Sequence, residues 1–481
     1  MKWWLALAWV IAALPAQAGW PPLPETTERV SVGANGEEGP YNCCPQVSAD
    51  GRYVLFLGTS LDHPLSGLLL KDRQTGAVEQ VCRNAQGELA NQHCEIHGLS
   101  ADGRYILFRT SATNMGAVPP FPLTEFPFTF VRDRSTGLLR EIRLQIAGCS
   151  FCFPVGIAVL SADGRSVVLA WQTPGHSQFG QIFRVDVESG DYVAVTANSS
   201  GQFANGSVSY PALSGSGRYV VFTTTASNLG PAVPDTGYGH MLRKDLLTGD
   251  TQLVSSAREG TFANDTTQHG ALNFDGRYVA FTSVATNLTA DPQTSSDRLF
   301  QVYLKDMETG DITLVSRAAS GGSGNNNSLE PVVSSDARRV AFRSFANNLT
   351  ASDANGPASD IFLWTQGEVY PRLISVSSEG VQGSSSNGYL FSNPPTPVAF
   401  KESSPVMSAD GLTVAYHAHS ANLVSDDFNQ APDVFVRNLA PLGAPPPPRA
   451  QAVPIGSLVA LTLLVLGLLV VAARRSPSGK I

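Results

Sequence analysis

The feature of this 481-residue sequence that most constrains its fold is an internal repeat. Each unit begins with Ser-x-Asp-Gly-Arg and an apolar run, and ends with an Asp-x-x-Thr-Gly turn and a second apolar run. The first half recurs seven times, at Asp50-Gly51-Arg52, Asp102-Gly103-Arg104, Asp163-Gly164-Arg165, Gly217-Arg218, Asp275-Gly276-Arg277, Asp336-Ala337-Arg338 and Asp410-Gly411. The second-half turn is clearest at Thr75-Gly76, Thr136-Gly137, Ser189-Gly190, Thr248-Gly249 and Thr309-Gly310.

These units are typical of β-strands joined by tight turns. Asp-Gly between two apolar runs indicates a hairpin, because glycine adopts positive φ without steric cost. Runs such as Tyr219-Val220-Val221-Phe222 are continuous rather than alternating, which indicates strands buried on both faces. A sheet packed between two neighbouring sheets is a propeller blade. The repeat therefore predicts an all-β fold, a seven-bladed β-propeller over residues 19–440.

The two ends of the repeat array predict how the ring closes. The seventh copy stops after its third strand, at residues 433–437, and runs into a proline-rich segment. Residues 28–32, at the other end of the array, resemble the fourth strand of the other copies. A last blade that takes its outer strand from the N-terminus leaves no open edge. We therefore expect this strand to close the ring.

The Ser-x-Asp-Gly-Arg and Thr-Gly turns make residues 26–440 resemble the TolB-type (WD40-like) propeller repeats of bacterial exported proteins. The Gly-His and Trp-Asp signatures of true WD repeats are absent, and so are the spacing and closing aromatic of the sialidase Asp-box. The resemblance implies a propeller that binds a protein or a glycan. Some TolB-like propellers are lyases or accompany a hydrolase domain, but the resemblance itself implies no reaction.

Both ends of the chain predict export to the cell envelope. Residues 1–18 have the pattern of a signal peptide, with Lys2, an apolar stretch and a small-residue cleavage site. Residues 441–452 form a proline-rich linker, and 453–473 are uncharged and long enough, at about 31 Å, to span a bilayer as a helix. The basic tail 474–481 should remain cytoplasmic, which places the ectodomain in the periplasm or at the cell surface.

The C-terminal segment also resembles the PEP-CTERM and IPTL-CTERM sorting signals, in which a proline-containing motif, an apolar helix and a basic cluster are read by a processing enzyme. Val453-Pro454-Ile455 precedes the helix and Arg474-Arg475 follows it, although the signature tetrapeptides are not intact. A cleaved sorting signal and a permanent anchor both remain open. The resemblance covers only this short tail.

Charge excludes one class of partner. The two terminal segments carry four basic side chains and no acidic ones, so without them the net charge falls from −8 to −12. An acidic ectodomain argues against binding to nucleic acid or to anionic lipid. We expect a monomeric ectodomain whose partner is an envelope or extracellular protein or glycan.

The loops predict which face of the disc binds that partner. The turns within hairpins are short and uniform, whereas the loops between the second and third strands and between blades are long and variable. Variable loops on a rigid scaffold usually carry binding. We call the face that carries the hairpin turns the tight-turn face, and the face that carries the longer loops the loop-rich face. The loop-rich face is the predicted working surface.

All six cysteines are assigned to blade-joining loops on the loop-rich face, and an even count in an exported protein favours disulfides. Cys82 and Cys94 share one loop and are the expected pair. The other candidates are Cys43, Cys44, Cys149 and Cys152. The Cys-x-x-Cys spacing of the last two has no thioredoxin-like context, so a structural disulfide is expected there too. A four-cysteine zinc site is disfavoured because the residues come from separate loops.

Acidic loops after the second strand raise a calcium hypothesis. Two loops space side-chain oxygens as the start of a calcium loop does. The candidate ligands are Asp353, Asn355 and Asp360 in one loop, and Asp427, Asn429 and Asp433 in the other. Asx turns at solvated loop tips are the competing interpretation, because neither loop supplies the glutamate or the full ligand set.

No catalytic residue is assigned from the sequence. Four histidines lie in or near the expected loop-rich face without a visible nucleophile or acid partner: His63, His93, His97 and His269. No nucleophile elbow, zinc-protease pair or phosphate loop is present. The sequence therefore favours a non-catalytic cell-envelope propeller that binds a protein or glycan. The alternative is an extracellular polymer-degrading enzyme, a lyase or hydrolase, with a site at the propeller axis lined by convergent Asp, Glu and His.

Overall fold

The computed structural model describes residues 25–33, 36–59, 66–116, 127–144, 154–171, 180–230, 237–292, 298–385 and 404–442. These residues form 28 strands and, within them, no helix. The strands make seven four-stranded antiparallel sheets, each with its strands in sequence order from one edge to the other, except that the last sheet takes its fourth strand from the start of the chain. The predicted seven-bladed β-propeller is confirmed.

The strand bounds follow the repeat. The first strand of the chain is β1 (Thr26–Arg29). Blade 1 contains β2 (Asn42–Val47), β3 (Tyr53–Thr59), β4 (Ser66–Asp72) and β5 (Val78–Gln80). Blade 2 contains β6 (Cys94–Leu99), β7 (Tyr105–Thr110), β8 (Phe128–Asp133) and β9 (Leu139–Glu141). Blade 3 contains β10 (Pro154–Leu160), β11 (Ser166–Trp171), β12 (Gln181–Asp186) and β13 (Tyr192–Ala194).

The other blades have the same plan. Blade 4 contains β14 (Val208–Leu213), β15 (Tyr219–Thr224), β16 (His240–Asp245) and β17 (Thr251–Leu253). Blade 5 contains β18 (Thr267–Leu272), β19 (Tyr278–Ser283), β20 (Gln301–Asp306) and β21 (Ile312–Leu314). Blade 6 contains β22 (Ser328–Val333), β23 (Arg339–Ser344), β24 (Asp360–Thr365) and β25 (Arg372–Leu373). Blade 7 contains β26 (Val406–Met407), β27 (Thr413–Ala418) and β28 (Asp433–Asn438), completed by β1.

The core lies between neighbouring blades, as the continuous apolar runs predict. In β23 and β24 every residue is buried. Val221 and Met241 of blade 4 pack in one cluster with Val279 and Phe281 of blade 5. A strand in the middle of a blade is therefore apolar towards both neighbours, which explains why its sequence does not alternate.

The two turns that recur in each repeat bind each other. Ser48 donates its hydroxyl to Asp50 Oδ1 at 2.6 Å and accepts the amide of Tyr53, which fixes the first turn. The Arg52 guanidinium then donates two hydrogen bonds, of 2.9 and 2.6 Å, to Asp72, which begins the Thr-Gly turn. The same forked pair recurs as Arg104–Asp133, Arg218–Asp245 and Arg277–Asp306. The repeat signature is thus a structural lock on the tight-turn face.

A second repeated device rigidifies the loop-rich face. Asn287, in the loop after β19, accepts the amide of Asn264 at 3.0 Å and donates to the carbonyl of Phe262 at 2.8 Å. Asn264 in return accepts the amide of Thr286 at 2.9 Å. The same asparagine clamp occurs at Asn91 with Asn114, Asn205 with Asn228, and Asn325 with Asn348. Each clamp ties the loop after the second strand to the loop that enters its blade.

The predicted ring closure is confirmed, with a shift of the closing strand. β1 pairs antiparallel with β28 from Thr26 opposite Asn438 to Arg29 opposite Phe435. The strand was expected at residues 28–32. It ends earlier because the Ser31 hydroxyl turns to Asp433, at 2.5 Å, and residue 32 forms an isolated bridge with residue 38. We call the contacts among β1, β28 and Asn42 at the start of β2 the seam.

Several predictions concern segments outside the described residues: the signal peptide 1–18, most of the linker 441–452, the membrane helix 453–473 and the tail 474–481. They stay predictions. In the part of the chain that the structure describes, no helix is long and apolar enough to cross a bilayer.

Candidate binding site at the propeller axis

The inner strands of the blades carry a β-bulge near the loop-rich face. In blades 1, 3, 4, 5 and 6 the register with the second strand shifts at this point. One residue of each bulge adopts the left-handed conformation, with φ between 52° and 67°: Cys44, Gly156, Tyr210, His269 and Glu330. A bulge bends its strand and re-aims a side chain, and such conformations are costly for residues other than glycine. The fold therefore places one selected residue of each of these five blades at this level of the axis, and four of the five carry a side chain.

Two adjoining cavities meet at three of these side chains. The axial cavity, of about 310 Å³, is bounded mainly by apolar residues of the inner strands, such as Val47, Leu213 and Val332. The side cavity, of about 390 Å³, is bounded by these polar and aromatic residues: Gln268, Phe300, Asn326, Asn327, Arg343 and Phe345. Tyr210, His269 and Glu330 line both cavities. We call these three residues the axial rim.

The carboxylate of the axial rim is held by a buried arginine. Arg343 donates from Nε to Glu330 Oε2 at 3.0 Å and from Nη2 to Oε1 at 2.9 Å. Burial raises the pKa of Glu330, and the positive charge and hydrogen bonds of Arg343 oppose that shift. The forked geometry favours the ionised pair. Nη1 of Arg343 makes no hydrogen bond to any described residue, so it can still donate to a ligand.

The histidine of the axial rim is neutral at physiological pH. His269 lies against the Tyr210 ring, with 4.3 Å between the ring centroids. Burial, with a smaller contribution from the charge of Arg343, lowers the pKa of His269 to about 4. Burial also raises the pKa of the Tyr210 hydroxyl. The pair therefore offers neutral hydrogen-bonding groups and an aromatic surface rather than charge.

A second ring of selected side chains comes from the fifth residue of the second strands. Arg343, Arg109 and His417 occupy this position in blades 6, 2 and 7. Arg109 donates to the carbonyl of Gly156 at 2.8 Å. His417 is only 2% exposed, and among the described residues neither of its ring nitrogens has a hydrogen-bond partner. Burial, with smaller contributions from His419 and Arg343, lowers its pKa to about 3.

Two of the four histidines that were expected in or near the loop-rich face lie in inner strands of the ring. His97 and His269 belong to the inner strands β6 and β18, where the interior of the ring buries them in whole or in part. The backbone amide of Ala158 donates to His97 Nδ1 at 3.2 Å. His63 lies outside the described residues. His269, Glu330 and Tyr210 each lie four residues before the start of the turn that follows their inner strand. This equal spacing in the repeat could have placed His269 at the axis.

The first predicted calcium loop forms a hydrogen-bonded hub around Asp360, which starts β24. Asp360 accepts hydrogen bonds of 2.8 Å from both the Ser375 hydroxyl and the Gln382 side chain. The same Gln382 amide donates to Asp353 and Asn355 at 3.0 Å each. Burial raises the pKa of Asp360 to about 6. The three candidate ligands do converge, but an amide nitrogen sits among them.

The second predicted calcium loop converges on a guanidinium. Arg29 of the closing strand lies 3.4 Å from Asp433 and 3.6 Å from Asp427, and 2.8 Å from Glu38. Asn429 donates its backbone amide to Glu38 at 2.9 Å. Within the described ranges, no three His, Cys, Asp or Glu side chains are arranged to hold a metal ion. Calcium binding at either loop stays a prediction.

The cysteines pair locally. The predicted bond between Cys82 and Cys94 is present, although Cys94 is the first residue of the inner strand β6 and not part of the loop to which it was assigned. Cys43 and Cys44 form a second disulfide, between adjacent residues, and their assignment to a blade-joining loop is wrong because both lie in the inner strand β2. The pairing of β2 with β3 continues beyond the bulge to Cys43 opposite Leu57 and Asn42 opposite Gly58, so the strand begins earlier than the sequence suggests. Cys149 and Cys152 lie outside the described residues.

Comparison with known proteins identifies the fold. No family model matches the chain, and no curated protein matches it in sequence. An oligogalacturonate lyase in complex with manganese matches it with a TM-score of 0.51 at 14% identity, over 87% of this chain and 97% of that one. The oligogalacturonate lyase of Vibrio parahaemolyticus gives 0.50 at 14% identity, over 87% and 98%. TolB from Acinetobacter baumannii gives 0.39 at 13% identity, over 70% and 64%. The chain is therefore similar in fold to the two oligogalacturonate lyases, and at this identity the likeness concerns the fold alone.

Proposed function

We propose that the protein is a non-catalytic binding module of the cell envelope, exported and held at the membrane by its C-terminal segment. Its partner is a protein or a glycan that docks on the loop-rich face. The observation that carries the proposal is the pair of cavities that share the axial rim. Sites of this kind combine apolar walls with a few placed polar groups.

The rim supports binding more than chemistry because its charged groups are already engaged. Glu330 uses both oxygens on Arg343, so it is a poor proton acceptor while that pair is intact. The remaining polar groups, Gln268, Asn326 and Asn327, are amides that suit hydrogen bonding to hydroxyl or peptide groups. The asparagine clamps hold the surrounding loops in place before a ligand arrives, which reduces the entropic cost of binding.

The test measures the binding of the purified protein to a glycan array and to separated envelope proteins. The variant Tyr210→Ala/His269→Ala should weaken the strongest interaction by about tenfold or more. The matched control is Leu247→Ser on the tight-turn face, where the side chain is 77% exposed and where affinity should not change. Equal loss in both variants, or loss only in the control, would contradict the proposal.

The alternative function, an extracellular lyase or hydrolase acting at the axis, is favoured by one observation. A neutral imidazole at a cavity rim, as in His269, can accept a proton from a substrate at neutral pH. Incubation with a panel of acidic and neutral polysaccharides should yield no new reducing ends and no unsaturated ends. Products that appear with the protein and disappear with His269→Ala would replace the binding proposal by the enzymatic one.

A further inference from the structure

The disulfide between Cys43 and Cys44 lies where the fold does not require one. Cys44 occupies the bulge position of β2, with φ of 67°. The equivalent residues Tyr210, His269 and Glu330 adopt the same left-handed conformation with ordinary side chains. The bulge therefore forms without a disulfide, and the bond in blade 1 must be explained by something other than the local backbone geometry.

Chain entropy does not explain this bond either. A disulfide stabilises mainly by closing a loop in the unfolded chain, and the effect grows with loop length. Cys82 and Cys94 are separated by 12 positions and close such a loop, whereas Cys43 and Cys44 are adjacent and close none. What the adjacent bond does is to restrain the backbone of two residues. Its consequences are therefore local.

Asn42, the residue before the disulfide, lies at the seam, so the local effects of the bond are felt there. The backbone amide of Asn42 donates to the carbonyl of Pro432 at 3.0 Å, and its side chain donates to Asp433 Oδ1 at 3.0 Å. The same oxygen accepts the hydroxyl of Ser31, which follows the closing strand. Ser31 Oγ also accepts the amide of Val434 at 2.9 Å. One residue before the disulfide, blade 1 thus meets both chain segments that close the ring.

The disulfide also adjoins the candidate site. Gln46 and Val47, which follow it in β2, line the axial cavity. A change in the backbone at Cys44 is transmitted through one intervening proline, Pro45, to these two residues. The bond therefore lies between the seam on one side and the wall of the axial cavity on the other.

We infer that Cys43–Cys44 is a site of thiol–disulfide exchange that controls the seam. A dithiol reductant is the reaction partner. Its thiolate attacks one sulfur, the bond between the cysteine sulfurs breaks, and a mixed disulfide forms. The second thiol of the reductant then releases the cysteine, so that the protein gains two electrons and two protons as two thiols, and the reductant becomes a disulfide. The reduced form has a looser seam and an altered axial wall.

The burial of the bond sets how the exchange proceeds. The side chains of Cys43 and Cys44 are 2% and 6% exposed, so a reductant reaches them when the seam opens locally. Opening and reduction then favour each other: the open seam admits the reductant, and the reduced cysteines no longer restrain the strand that Asn42 anchors. The oxidised protein is the closed form.

Hydrogen–deuterium exchange of the full chain in detergent tests the inference. The protein is compared before and after treatment with dithiothreitol, and alkylation with mass spectrometry records which cysteines have been reduced. Reduction of Cys43 and Cys44 should speed the exchange of amides 26–32 by about tenfold. Amides of β15 and β16, in blade 4, which lies farthest around the ring from the seam, should exchange as before and serve as the internal reference.

Two variants assign the effect to this bond. Cys43→Ser/Cys44→Ser should show fast exchange at 26–32 without reductant and no further change with it. Cys82→Ser/Cys94→Ser should keep the full response to reductant. Unchanged exchange at 26–32 when alkylation shows both thiols, or a response that persists in Cys43→Ser/Cys44→Ser, would overturn the inference. If the first variant does not fold, the response of the second decides the matter.

Discussion

The two faces of the propeller disc use the same repeat in opposite ways. On the tight-turn face, four blades carry the same arginine and aspartate at equivalent positions, and in each of them the aspartate accepts hydrogen bonds from the arginine, as in Arg218–Asp245. At the axial rim, near the loop-rich face, equivalent positions carry Tyr210, His269 and Glu330 in successive blades. The difference teaches that in this chain repetition marks the residues that hold the fold, whereas departure from repetition marks the residues available for binding.

The largest expected effect comes from the seam, where the repeat is completed by a distant part of the chain. Deleting residues 19–33 removes β1 and also Val30, which is 3% exposed and packs with Phe56 and Val434. The loss of this buried surface should cost on the order of several kcal/mol, and we expect an insoluble or protease-sensitive product. Melting and limited proteolysis are the measurements. A variant lacking only residues 19–24 is the control, and a chain starting at Ala34 that melts like the control would break the closure argument.

The next largest effect concerns the ion pair between Glu330 of the axial rim and Arg343. Glu330→Ala leaves the buried Arg343 without its carboxylate and should destabilise the protein by about 3–5 kcal/mol in urea unfolding. The double variant Glu330→Leu/Arg343→Leu removes both charges and should recover most of that loss. A single variant as stable as the parent would mean that solvent already screens the pair, and would contradict its assignment to the ring interior.

Asp360 should make the free energy of unfolding decrease as the pH rises. Its pKa is raised to about 6 in the folded state, so between pH 4 and 6 the folded protein binds more protons than the unfolded chain. The contribution of Asp360 to stability is therefore greatest at the acidic end and falls by about 2–3 kcal/mol as the pH rises from about 4 through 6. Asp360→Gln, which copies Gln301 at the same position in blade 5, should remove this fall. Chemical unfolding at pH 4.5 and 7 measures it, and an unchanged pH slope in the variant would refute the assignment.

Asp245, on the tight-turn face, should make stability depend on pH in the opposite direction, and its effect should be the smallest of these. Hydrogen bonds from Arg218 lower the pKa of Asp245 to about 2, so its contribution is present above pH 4 and is lost as the pH falls through 2. Because the pair is partly solvent-exposed, Asp245→Asn should lower the melting temperature by only about 2 °C at pH 7. The same variant should lose less stability than the parent on acidification. A larger loss than that of Glu330→Ala would reverse the comparison of the two faces.

The fold could be predicted from sequence because its determinants are local. Each turn signature and apolar run lies within one repeat, so the seven blades, the strand class and the missing outer strand are visible without a structure. The bounds of the closing strand could not be predicted, because Ser31 leaves the strand for Asp433, about 400 positions away in sequence. Tertiary partners decide where that strand ends.

The candidate site was harder to predict for the same reason. The spacing of Asp353, Asn355 and Asp360 fits a calcium loop, but the amide of Gln382 that lies among them belongs to another loop. The placement of Arg29 beside Asp433 is equally remote. An axial cavity lined by acidic residues and histidines was anticipated as a discriminating feature. Its members were not: equal spacing from the turn aligns His269 with Tyr210 and Glu330, but the bulge that turns this position towards the cavity has no sequence signature of its own.

The most direct test of the account is a surface footprint of the native protein with its captured partner. Hydroxyl-radical labelling followed by mass spectrometry compares the free and bound protein on both faces. The account predicts protection at the axial rim and in the loop segments 225–230 and 325–327 of the loop-rich face. The tight-turn residues Leu247, Phe274 and Tyr370, all well exposed in the free protein, should label equally in both states. Protection of these three residues with an unprotected axial rim would contradict the account.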